Sequence, residues 1–89
     1  MLVKTITIKN KLGLHARAAV KLMNLANRFV SSVKIEKDGS EVDGKSILGI
    51  LTLAAVQGSQ ITLKVSGKDE KSALKAMEIL IENKFREEE

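Results

Sequence analysis

The chain contains no cysteine, no tryptophan and no tyrosine, and only one histidine, His15. Lack of cysteine excludes disulfides, thiolate nucleophiles and thiolate metal sites together. With no second histidine or cysteine to complete a ligand set, no metal site is expected, and nothing in the pattern asks for a cofactor. Phe29 and Phe85 are the only aromatic residues. Two are too few for the stacking platform of a typical single-strand binder, so nucleic acid is not the expected partner. No apolar run approaches the ~20 residues that span a bilayer. The first eight residues alternate like a strand and lack the unbroken apolar core of a signal peptide. These absences lead us to expect a cytoplasmic protein with no membrane insertion.

What is present suits one small folded unit. At 89 residues, 44% hydrophobic and 29% charged, the chain is too apolar for a disordered segment and has room for one domain, residues 1–89. Its formal charge of +4 is uneven: residues 1–45 carry nine Lys and Arg against four Asp and Glu, and residues 46–89 carry six against seven. The basic half contains His15. A basic surface attracts acidic proteins and phosphorylated groups as well as nucleic acid, and charge alone does not choose among them.

Leu2, Ile6 and Ile8 share one face of an extended run and Val3, Thr5 and Thr7 the other, as in a half-buried strand. From Ala16, the residues Ala19, Leu22, Met23 and Ala26 recur at helical spacing, predicting a helix at about 16–28. Val33 and Ile35 alternate with charged residues, Asp38-Gly39 is a hairpin turn, and Glu41-Val42-Asp43 returns as a short exposed strand. Ser46 can cap a second helix from Ile47 to about Val56, ended by Gly58. Ile61, Leu63 and Val65 then mark a strand, and Asp69 can cap a last helix whose apolar stripe includes Ala73, Met77, Leu80 and Ile81. The tail Arg86-Glu87-Glu88-Glu89 is expected to fray. The order βαββαβα implies an α+β fold, an open-faced β-sandwich in which three helices cover one face of a four-stranded, largely antiparallel sheet.

Chemistry concentrates in Gly13-Leu14-His15-Ala16-Arg17-Ala18-Ala19. A strong helix former begins directly after His15, with no Ser, Thr, Asp or Asn in front of it to satisfy the first N–H groups. The backbone donors of Ala16, Arg17 and Ala18 are therefore available to an outside anion. A helix N-terminus adds roughly half a positive charge, the usual recipe for holding phosphate. That field also favours the neutral, nucleophilic imidazole over its cation, and Arg17 in the first turn can neutralise an arriving phosphoryl group. Gly13 lets backbone approach closely. A lone histidine is more often an ordinary surface residue; the missing cap and Arg17 raise the case for function. No nucleophile partner suggests a hydrolytic triad.

Asn10-Lys11-Leu12-Gly13-Leu14-His15-Ala16-Arg17, followed by two small residues, resembles the active-site signature of HPr, the histidine-containing phosphocarrier family of the bacterial sugar phosphotransferase system. Asp43-Gly44-Lys45-Ser46-Ile47-Leu48-Gly49 resembles the family's regulatory-serine segment, and the likeness extends over essentially the whole chain. The resemblance implies phosphorylation of His15 on Nδ1 by an upstream phosphoenolpyruvate-dependent enzyme, then transfer to a sugar-permease component. A protein modified and restored in each cycle is a stoichiometric carrier, not an enzyme in the strict sense. Ala18 departs from the family, which usually has proline there. That substitution leaves open a nitrogen-regulatory branch. A second alternative is a regulatory binding module on the same fold without phosphoryl transfer, against which the presence of His15 speaks.

A serine before a helix needs no explanation beyond capping. The resemblance adds that Ser46 is a regulatory phosphorylation site, admitting a serine kinase/phosphorylase and a transcriptional regulator as further partners. The predicted second helix is apolar nearly all round, which so small a domain cannot hide completely. Ile47, Leu48 and Leu51 are the expected docking residues, with Ile50 and Leu53 toward the core. Lys11, Arg17, Lys21 and Lys45 are placed as a basic ring about that patch.

Overall fold

The computed structural model describes residues 1–86. Its strands are β1 (Leu2–Thr7), β2 (Ser32–Lys37), β3 (Ser40–Asp43) and β4 (Gln60–Ser66), and its helices α1 (Ala16–Ala26), α2 (Ile47–Thr52) and α3 (Glu70–Glu82). The sheet order is β1-β4-β2-β3 with every neighbouring pair antiparallel. This is the open-faced α+β sandwich that the residue pattern predicts.

Alternation produces its two faces. Ile6 stands opposite Ile61, Ile35 opposite Leu63 and Val33 opposite Val65. All six are buried, joining Leu22 of α1, Ile50 of α2 and Met77 and Ile81 of α3 in one core. Each such side chain contributes roughly 1.5–3 kcal/mol through burial. On the other face, Thr5 and Thr62 share a hydrogen bond of 3.1 Å, and the Lys64 ammonium lies 2.7 Å from Glu36 and 2.9 Å from Glu41. Those bonds, with Glu36 the stronger influence, hold Lys64 protonated above its ordinary range.

Several sequence expectations need correction. The second helix stops at Thr52 with Leu53 as its cap, short of Val56, because Ala54 turns to φ +49 and the next carbonyl, Ala55 O, accepts from Leu14 N of the loop before α1. Asp69 is the N-cap residue of α3, its carbonyl accepting from Ala73 N at 3.0 Å, but its side chain makes no capping bond. Its carboxylate accepts instead from Val30 N at 3.1 Å, Ser31 N at 3.0 Å and Ser31 Oγ at 2.5 Å. The start of α3 is thereby fastened to the loop after α1, and the Ser31 hydroxyl foremost, with the two amides, draws the Asp69 carboxyl below its usual range. Lys4 shares the inner-face register of Leu2 and Ile6, and reaches Glu78 of α3 at 3.1 Å. The expected fraying of Glu87–Glu89 lies outside the described residues. Arg86 instead closes a turn, Lys84–Arg86, in which Phe85 is completely buried.

Candidate functional site

Two loops build the platform on which His15 stands. After β1, Ile8 N donates to Ser59 O at 2.8 Å and Gly58 N returns to Ile8 O at 2.9 Å. Further on, Gly13 N donates to Asn10 O at 3.1 Å and Leu14 N to Ala55 O at 2.8 Å. The buried carboxamide of Asn10 donates to Gly13 O at 2.6 Å. Gly13 has φ +68, and a Cβ there would lie 2.4 Å from Ala55 O. Only glycine lets the two backbones meet this closely.

The chain leaves this platform at the buried Leu14 and enters α1 through His15, which is half-buried. His15 is the N-cap, with extended backbone (φ −75, ψ 177) and a side chain that makes no capping bond. Its carbonyl accepts from Ala19 N at 2.8 Å, the first bond of the helix. The amides of Ala16, Arg17 and Ala18 therefore precede the ladder and have no carbonyl four residues back within α1. No acidic side chain lies in the first turn to compete for them. Ala16 and Arg17 are exposed, whereas the Ala18 side chain is fully buried. Imidazole, helix terminus and guanidinium thus occupy consecutive residues at one end of α1.

Ser46 stands at the start of α2, its hydroxyl accepting from Gly49 N at 3.2 Å. Asp43 braces the approach, accepting from Lys45 N at 2.9 Å through its carboxylate and from Ser46 N at 3.1 Å through its carbonyl. Of the three expected docking residues, Leu48 is 73% exposed, while Ile47 and Leu51 are half-buried against the core. Ile50 and Leu53 are buried. The basic ring is only partly as drawn from sequence: Lys21 donates to Phe85 O at 2.6 Å and Lys45 to Phe29 O at 2.8 Å, so both ammonium groups are tied to carbonyls. Leu12 and Val56 are exposed apolar residues that sequence reasoning did not single out. Their signal was weak, because each flanks the Gly13 contact from a different loop. The sequence pattern gives Asn10 no role of its own; an asparagine before a Gly-containing turn is the clue to one.

Comparison with known proteins agrees with this fold. The family profile described as "PTS HPr component phosphorylation site" matches residues 2–83. The chain is 53% identical to the phosphocarrier protein HPr of Cupriavidus necator over 89 residues, covering 100% of both. It is 46% identical over 82 residues to the HPr-like protein Crh of Halalkalibacterium halodurans, covering 92% of this chain and 98% of that one. The crystal structure of HPr-C-His from Thermoanaerobacter tengcongensis superposes with a TM-score of 0.96 at 47% identity, with 100% of each chain covered. On sequence and on fold, the chain belongs to the HPr family of phosphocarrier proteins.

Proposed function

We propose that this chain is the phosphocarrier of a phosphoenolpyruvate-dependent sugar phosphotransferase system and that His15 is its phosphoryl acceptor. The observation that carries the reading is the position of His15 as the N-cap of α1 with no side-chain capping bond. The imidazole thus adjoins the amides of Ala16, Arg17 and Ala18, at the positive end of an 11-residue helix. In the transfer, the lone pair of a ring nitrogen forms an N–P bond as the donor's bond to phosphorus breaks, its electron pair leaving with the donor. Return to an acceptor reverses the step. The three amides and the Arg17 guanidinium stabilise charge on the phosphoryl oxygens throughout. The upstream enzyme and a sugar-permease component are the partners this role requires, and a cytoplasmic setting suits both.

Ser46 is the regulatory site in this reading. A phosphate there adds nearly two negative charges at a helix start that tolerates an anion, next to the docking residues Ile47, Leu48 and Leu51. Amide NMR of the protein before and after phosphorylation tests the site. The largest shifts are expected at Ala16, Arg17 and Ala18, and shifts centred on another segment would refute it. Arg17→Ala should slow transfer at least about tenfold with little change in melting temperature, since its charge is needed only when phosphate is present. Equal losses in both would make Arg17 a structural residue.

A further inference from the structure

A second feature lies away from His15, Arg17 and Ser46. Lys21 and Leu25 of α1, with Arg28 in the turn that follows it, line one side, and Ile79 and Leu80 of α3, with its cap residue Asn83, line the other; between them runs a groove of about 470 Å³. That volume falls within the ~300–1,000 Å³ of small-molecule sites. The middle of the groove is apolar, and Ile79 is left 47% exposed in it. Its ends are cationic. The Lys21 bond to Phe85 O places that end beside Arg86, while the Asp69 bonds to Val30 and Ser31 bring the start of α3 to the loop after α1, just past Arg28. Lys21 lies near the middle of α1 and Arg28 two residues past its end. No carboxylate is found among the described lining residues.

The end at Arg86 is built at a conformational cost. Lys84, Phe85 and Arg86 have φ of 54, 56 and 59, three consecutive non-glycine residues in the left-handed region. Such residues normally occur singly, at roughly 1–2 kcal/mol each. Burial of Phe85 and the Lys21 bond to its carbonyl hold the turn, and the turn brings Arg86 to the mouth of the groove.

We propose that the α1/α3 groove binds a small linear organic dianion, its two acidic groups on the cationic ends and its aliphatic middle on Leu25 and Ile79. Guanidinium groups suit carboxylate or phosphate at either end, and the apolar floor excludes a simple inorganic ion. The site takes no part in phosphoryl transfer, so its test is independent of that function. Amide and side-chain NMR would follow titration of the unphosphorylated protein with suberate, a linear aliphatic dicarboxylate. Octanoate serves as the monoanion of like length, and inorganic phosphate as the anion without an apolar body. Saturable shifts confined to Asn24, Arg28, Ile79 and Asn83 are expected with suberate, weakening with added salt. Octanoate should bind at least about tenfold more weakly, having lost one charged contact. Arg28→Gln with Arg86→Gln should weaken suberate similarly while leaving the melting temperature close to wild type, because both side chains are exposed. Equal binding of suberate and octanoate would overturn the proposal. So would shifts that persist in the double variant, or that lie only at Ala16–Ala18.

Discussion

Single residues carry more here than their chemistry alone suggests. Gly13 holds two loops at backbone contact, so Gly13→Ala must either move Ala55 or give up φ +68. We expect a loss of about 2–4 kcal/mol, read by denaturant unfolding, with slower phosphoryl transfer as the approach to His15 shifts. A cost below about 0.5 kcal/mol would mean that the platform is soft. Asp69 has a pH signature. Its folded carboxyl is held below the usual range, so its contribution is present above the unfolded value and disappears as pH falls through the lowered one. Melting temperature should fall through that acidic window in wild type and less steeply in Asp69→Asn; equal slopes would remove Asp69 as the cause. Lys64 is the opposite case: its contribution is complete below the ordinary lysine value and is lost as pH rises through the raised one. The local motif made the missing cap at His15 and the glycine of its approach legible. The Asp69–Ser31 bonds were not, because they join residues 38 apart, and a serine or aspartate beside a helix reads first as a cap.

At the scale of elements, period-2 and period-3.6 patterns place all four strands and three helices, and the misplacements have physical causes. The α2 segment is apolar well past Thr52, so periodicity alone continues the helix. A tertiary bond, Leu14 N to Ala55 O, ends it. Phe85 follows the last helical stripe, so periodicity does not place it in the core, yet it is fully buried. Ser46 is the element-scale test. Ser46→Ala should cost about 1 kcal/mol through loss of the bond to Gly49 N, as caps generally do. Ser46→Asp should keep the melting temperature near wild type while raising the apparent KM for this protein more than it lowers kcat, because the added charge opposes docking. An unchanged KM with a lower melting temperature would leave Ser46 as a helix cap alone.

At the scale of the whole molecule, the open sandwich gathers its helices on one side of the sheet and closes the other with threonines and charged pairs. The His15 end of α1 rests on loops anchored to β1 and to the segment before β4, so the proposed acceptor is positioned by the sheet rather than by α1 alone. Replacing His15 should therefore remove chemistry and spare structure. The most direct measurement is the intact mass of wild type and His15→Ala after incubation with phosphoenolpyruvate and the upstream enzyme, repeated after brief acid treatment. Wild type should gain one phosphoryl group that acid removes; His15→Ala should gain none while unfolding within about 1 kcal/mol of wild type. An acid-labile phosphoryl group on the His15→Ala protein would contradict the account.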